Sequence, residues 1–490
     1  MARKRFSLAG YDHCSQYRPV QVRSLSKDQI CLLHEASLEI LARTGMRFFE
    51  EEALEMFRRA GANVSEGNLV RIPSHLVEWA LRSVPKNITI FDRNGRRAMA
   101  LGGYRSYFGP GSDCSYIYDL DTGQRRLAVL EDVVRAVRLV DALPNYDFVM
   151  SMFLPSDVPQ DLYERRQMAV MLQESTKPIV YVGLEAASTV YAVEMASAVA
   201  GGLESLQRCP FVINYVNVVS AFRHNDQSVK RLLYAAERNL PTIYAPSKSR
   251  GTMAPMTVAG AVALGNAGQM AGLVLSQLKR EGSPFLRSLP GGDGIDMRSM
   301  VSLYAAPDGG PFGLDLAHHY GIPTFGMAGC SDAKVFDAQA AAEAALTLFD
   351  NALNGANLIH DVGYLDCAMT GSLEFLAFCD DLIGWLRRYL RKLEISEETL
   401  ALDLIHEVGP DGHFIDRKHT LRHVREEWVP ALMDRNNYQR WAANGATTLQ
   451  GRAKRRVQDL LANHQPERLP QGITQAIEAM VSDGGRLVEA

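Results

Sequence analysis

Residues able to do chemistry gather near positions 330 and 360. In Asn357-Leu-Ile-His-Asp-Val-Gly-Tyr364 an apolar run leads into a His–Asp pair and a tyrosine. His360 and Asp361 are the catalytic candidates, because an imidazole beside a carboxylate can move a proton or hold a polar substrate. The same pair can instead brace a rim, each group satisfying the other. If a strand runs through both, its side chains alternate, so one faces inward and the other outward. In Ala328–Lys334, Cys330 offers a nucleophile or ligand, or plain packing; Asp332 and Lys334 offer an ion pair. Tyr107, Tyr215 and Tyr364 sit at or near the ends of apolar runs. A quaternary ammonium requires such aromatic faces, although aromatic residues in strands also build cores.

Two further features are weaker. His406, His413, His419 and His423 lie close in sequence, and the last two can share one helix face. No acidic or cysteine ligand set accompanies them, and none of the seven cysteines forms a CxxC pair. The chain is therefore expected to hold no metal tightly. The glycine-rich stretch from Pro290 to Gly313 reads as a lid, a docking surface or a plain ordered loop, since its spacing matches neither a P-loop nor a dinucleotide turn.

The elements that would position these residues follow from the apolar rhythm. Eight short apolar runs alternate with stretches that can hold helices: 106–109, 148–153, 179–183, 211–216, 242–244, 284–289, 324–327 and 357–362. Arg287 lies in the sixth. Eight βα units predict a closed (β/α)8 barrel, a TIM barrel of the α/β class, whose chemistry sits at the C-terminal ends of the strands. That rule selects Tyr107, Asp113, Tyr215, Ser247, Arg287, Asp293, Cys330, His360, Asp361 and Tyr364. The barrel is expected over residues 105–372, with a helical extension before it (1–104) and another after it (373–490). A hairpin with Asp121-Thr122-Gly123 as its turn is expected after the first strand. Ile88-Thr89-Ile90-Phe91 reads as a short extended piece closed by the turn Asp92–Gly95.

Composition limits the alternatives. The net charge is −4 with scattered basic residues, which excludes a nucleic-acid or anionic-membrane binder. Met256 to Leu278 carries no charge and is long enough to span a bilayer. Asn266, Gln269 and four glycines within it favour a buried barrel helix. The N-terminus lacks an apolar core segment for secretion, and the cysteines are odd in number and widely spaced. Both point to the cytoplasm.

Several stretches carry a family resemblance: AGCSDAKVFDAQAAAEAAL (Ala328–Leu346), GANLIHDVGYLD with TGSLEFL (Gly355–Leu376), and GPDGHFIDRKHTLRH (Gly409–His423). They resemble the trimethylamine methyltransferase family, and Val129–Met152 and Met256–Leu278 look like it too. The resemblance implies a TIM barrel that moves a methyl group from a methylated amine to the Co(I) of a cognate corrinoid protein. The corrinoid, as cob(I)alamin, would be carried by that partner and not held tightly by this chain. A homo-oligomer is expected. Some members carry pyrrolysine close to the position of Cys330. This chain has only ordinary residues there, and so is similar to members acting on glycine betaine and related quaternary amines. Physics agrees: a quaternary nitrogen leaves as a neutral amine without further activation, so the protein has only to position and desolvate it. On this reading Tyr107, Tyr215 and Tyr364 face the cation, while His360 and Arg287 hold a carboxylate. The competing expectations are a barrel lyase or hydrolase using His360 and Asp361 as acid and base, and a betaine-binding barrel without catalysis.

Overall fold

The computed structural model describes residues 21–289, 294–305 and 310–483. Residues 290–293, with Asp293 among them, and 306–309 in the glycine-rich stretch lie outside the described residues. Seven parallel strands form one sheet in the spatial order Tyr107–Phe108, Leu358–His360, Thr324–Met327, Phe285–Ser288, Thr242–Pro246, Val212–Val218 and Ile179–Val182. The extended segment around Val149 closes the ring. Val149 bridges Ile179 in parallel, and the Asp147 N–H donates to the Phe108 carbonyl at 2.7 Å. The result is a closed barrel of eight segments, each lying on one of the eight apolar runs. Besides the short helix Leu203–Arg208, eight helices alternate with them among the described residues, from Leu130–Ala142 to Leu373–Tyr389. The last of these is the eighth barrel helix, so the barrel reaches residue 389 and passes the expected boundary at 372.

Helix Val258–Lys279 is long and apolar enough to cross a membrane, yet 83% of its apolar window is buried inside the protein. Gly272 explains how it packs so closely. A Cβ there would lie 2.2 Å from the Tyr244 ring on the strand beneath. Against its other side lie the N-terminal helices Lys27–Glu39, Glu51–Arg59 and Ser74–Ser83. The first begins at Ser26, whose side chain forms a capping box with Gln29.

An antiparallel hairpin, Ile88–Phe91 with Arg97–Leu101, closes the N-terminal end of the barrel. Its Ile88, Ile90, Met99 and Leu101 pack against Phe148, Val180, Ile213, Ile243, Leu286 and Leu358, all buried residues from the beginnings of the strands. The alternation of side chains that makes each strand half-inward supplies this plug with its apolar partners. At the periphery, helix Leu449–Asn463 lies on Leu373–Tyr389, and helix Gln471–Val481 lies on Ala186–Ala200.

Candidate active site

A cavity of about 410 Å³ opens at the C-terminal end of the barrel, within the ~300–1,000 Å³ usual for small-molecule sites. Strand ends and the loops just beyond them supply its lining: Ser112 and Asp113, Tyr215 and Asn217, Pro246 to Ser249, Ser288, Phe325 and Met327, and His360, Asp361 and Tyr364. Tyr304, from the long loop after Ser288, completes one wall.

Both His360 and Asp361 line the cavity, so the expected alternation of the pair does not hold. The cause is backbone conformation. Asp361 has φ 67°, in the left-handed region, which turns its side chain back toward the side that His360 faces. A non-glycine residue held there is strained, and such strain persists only where the surroundings fix it. Here they do: Tyr304 donates its hydroxyl proton to Asp361 Oδ2, and His360 Nε2 lies 3.4 Å from the same oxygen. Gly111 allows the close approach, since a Cβ there would lie 2.3 Å from Asp361 Oδ1 and 2.2 Å from the Tyr364 ring.

The tautomer of His360 follows from its neighbours. Nδ1 lies 2.6 Å from the Gly326 carbonyl, which can only accept, so Nδ1 carries a proton. The imidazole stacks on Phe325 with ring centroids 3.8 Å apart. Tyr215 meets Phe325 at 4.9 Å and His360 edge-on at 6.0 Å. These three rings form an aromatic wall. Burial pushes the phenols of Tyr215, Tyr304 and Tyr364 upward, with Asp361 adding to each, so all three stay neutral and keep their protons. Tyr364 accepts the Asp113 N–H at 2.7 Å and points its own hydroxyl at the Met152 carbonyl, 3.5 Å away.

Asp113 is open to water through the cavity although protein surrounds it. Loss of bulk solvation raises its carboxyl to about 6; a Ser112 hydrogen bond opposes the rise, and the charges of Asp361 and Glu164 add to it. Across the ring, four strands away in the sheet order, Lys248 follows the strand Thr242–Pro246. Its ammonium donates to the Pro246 carbonyl at 3.3 Å and to Ser288 Oγ at 3.4 Å. The cavity is thus bipolar, with Asp113 and Asp361 on one side and the Lys248 ammonium on the other, and with the rings of His360, Phe325 and Tyr215 spanning the space between them. Such a cavity can hold a small zwitterion by both ends.

Of the residues expected from the sequence, His360, Asp361, Tyr215 and Tyr364 come together here, and Tyr107, Arg287 and Cys330 do not. The Tyr107 hydroxyl accepts the Ala100 N–H at 3.0 Å, at the plugged end of the barrel. Arg287 alternates outward from Leu286 and Ser288 and is buried under helix Val258–Lys279. There its Nε donates to Gln269 at 3.0 Å, another N–H reaches Asn266, and its guanidinium lies 4.8 Å over the Tyr320 ring. Cys330 is buried in the main apolar core outside the cavity lining. Lys248 and Tyr304 were not among the expected residues. Lys248 lies one position beyond Ser247, and the strand-end rule would have included it with a slightly wider window. Tyr304 carries no sequence signal beyond membership of a loop above the barrel mouth.

Comparison with known proteins agrees with this architecture. A family model described as trimethylamine methyltransferase matches residues 7–484. The chain is 32% identical over 470 residues to a glycine betaine methyltransferase of Desulfitobacterium hafniense strain Y51, covering 95% of this chain and 97% of that protein. It is 30% identical over 463 residues to the trimethylamine methyltransferase MttB of Desulfitobacterium hafniense strain DCB-2, covering 94% and 93%. In fold it matches the crystal structure of the Methanosarcina barkeri monomethylamine methyltransferase MtmB, with a TM-score of 0.53 at 12% identity over 89% of this chain and 88% of that one.

Proposed function

The chain belongs to the trimethylamine methyltransferase family, a family of corrinoid-dependent methyltransferases, and from that premise we propose that its methyl donor is a quaternary ammonium carrying a carboxylate, glycine betaine first. The acceptor is the Co(I) corrinoid of a separate cognate protein, which docks at the open end of the barrel. A corrin ring is far larger than a small-molecule cavity, which favours approach at the mouth over residence inside. The observation that carries the reading is the bipolar cavity. The aromatic wall of Tyr215, Phe325 and His360, with Asp113 and Asp361, suits the trimethylammonium end, and Lys248 suits the carboxylate.

The docked corrinoid supplies a nucleophilic cobalt that accepts the methyl group. The chain's own residues do the rest. Aromatic faces hold the cation, each good contact contributing ~0.5–2 kcal/mol. Asp113 and Asp361 supply opposite charge without sharing a proton with a nitrogen that has none. Lys248 fixes the other end, so that one methyl is directed outward. Tyr304, walling one side of the cavity, and exclusion of water keep the geometry. The C–N bond breaks with its electron pair remaining on nitrogen, and a neutral tertiary amine departs. No proton has to move, so His360 acts here as a wall and a hydrogen-bonding group rather than as an acid or base.

The test is direct. Purified protein is mixed with cob(I)alamin and, separately, glycine betaine, longer betaines, tetramethylammonium and trimethylamine, and methylcobalamin is followed by absorbance. Turnover of a betaine with little of trimethylamine is expected. Efficient use of trimethylamine with no betaine turned over would overturn the substrate reading.

A further inference from the structure

The segment after the last barrel helix has a stability problem. Across residues 391–448 only Leu432 is buried, and the helices Glu397–Leu400, Leu402–Val408, Lys418–His423 and Tyr438–Ala443 bury no residue at all. Ordering each backbone residue costs ~1–2 kcal/mol of entropy, and structure without an apolar core is ordinarily held by a staple.

The fold builds one. It brings Glu398 from the first of these helices to His419 and His423 on the third, joining a carboxylate to the two imidazoles. Potential ligand atoms of the three residues all lie within 4.8 Å of one another. The two imidazoles stand 4.3 Å apart, centroid to centroid. His423 Nε2 is 3.3 Å from Glu398 Oε1, and His419 Nε2 lies 3.1 Å from the Glu398 carbonyl. A second observation points to a ligand. His423 Nδ1 lies 2.7 Å from Glu426 Oε1. A carboxylate on one ring nitrogen orients the ring and turns the other nitrogen toward Glu398, which is the arrangement found behind metal-bound histidines.

We propose that Glu398, His419 and His423 bind a zinc ion that clips helix Glu397–Leu400 to helix Lys418–His423, with Glu426 orienting His423. Two imidazoles and a carboxylate suit zinc, and the fourth position is left to water. Arg422 pairs with Glu398 Oε1 at 2.7 Å. That pair is exposed, and exposed pairs hold weakly, so the metal displaces it. The clip ties together residues 25 apart in sequence. It shares no lining residue with the barrel cavity.

The experiment uses the full-length protein, stripped with a chelator, desalted, and given zinc chloride or cobalt(II) chloride. One equivalent of metal retained after a second desalting is expected by elemental analysis, and the cobalt form should absorb in the visible. His419→Ala and His423→Ala should each abolish retention, and Glu426→Gln should weaken zinc binding about 10–100-fold. Tyr215→Phe, in the cavity, should retain the metal fully. Deuterium exchange of amides in 397–426 should slow when zinc is added to wild type and not to His423→Ala. If His419→Ala or His423→Ala fails to fold, Glu426→Gln carries the test alone. Equal metal content in wild type and the histidine variants would overturn the site. Retained metal with unchanged exchange would overturn the clip.

Discussion

Asp113 carries a carboxyl lifted to about 6, chiefly by loss of bulk solvation in the protein-walled cavity and further by Asp361 and Glu164. Above that pH it is charged and attracts a quaternary cation; below it the attraction is lost. Affinity for the amine should therefore be full above about pH 6 and fall as pH drops through it, with KM rising. The cation in turn favours the ionised carboxyl, so amine binding near pH 6 should release a proton, which calorimetry in buffers of different ionisation enthalpy would detect. Asp113→Asn should flatten the profile; a KM profile unchanged by that substitution would remove Asp113 from the cation site. The contribution of Asp113 to stability runs the other way. Folding favours its protonated form, so that contribution is full below the usual carboxylate range and declines as pH rises through about 6. Lys248 separates substrates instead. Lys248→Met should weaken a betaine by roughly ten- to a hundredfold, the ~1.5–3 kcal/mol of a charge-assisted hydrogen bond, and leave tetramethylammonium almost unaffected. Parallel KM measurements on the two amines check it. At this scale the sequence was partly legible. His360 and Asp361 could be picked out by type and position, but that both face inward depends on one backbone angle at Asp361, which no periodicity encodes.

At the scale of elements, all eight barrel segments were visible, because buried parallel strands read as short apolar runs between helical stretches. The orientation of a strand's side chains was not. Arg287 and Ser288 are adjacent, and only knowledge of which residue points at the plug assigns Ser288 to the cavity and Arg287 to the helix layer. Tyr107 failed for a related reason, since it stands at the beginning of its strand, one turn of pleat from the plug. The placement of Arg287 has a measurable consequence. Arg287→Met leaves Asn266 and Gln269 without their buried partner, at ~1–3 kcal/mol for each group stranded. Melting temperature should fall while KM for the amine is retained. A raised KM at unchanged melting temperature would instead place Arg287 at the substrate. The domain boundary near 372 was set where the strand–helix rhythm stops, and rhythm alone cannot show that the next helix completes the barrel.

Across the whole molecule, buried polar anchors add to apolar packing in tying distant parts of the chain to the barrel. Arg93, in the turn of the plug hairpin, donates to the Leu172 carbonyl at 2.6 Å and to the Glu467 carbonyl. Hairpin, barrel helix and C-terminal segment therefore meet at one buried guanidinium. Tyr191 joins Asp483 at 2.6 Å in the same way. None of these long-range links was legible, because each joins residues between 79 and 374 positions apart without a pattern in either.

The hairpin that fills the lower barrel also dictates traffic. With that end sealed by Ile88, Ile90, Met99 and Leu101, donor and acceptor share a single doorway. On the proposed function, the amine has to enter before a corrinoid protein covers the opening, and the demethylated amine cannot leave until that protein withdraws. Kinetics should accordingly be sequential and ordered. The tertiary-amine product should inhibit competitively against the quaternary amine and non-competitively against the corrinoid protein. Excess acceptor should slow turnover by closing empty enzyme. Initial-rate patterns showing random order, with no inhibition at high acceptor, would mean that the barrel has a second way in.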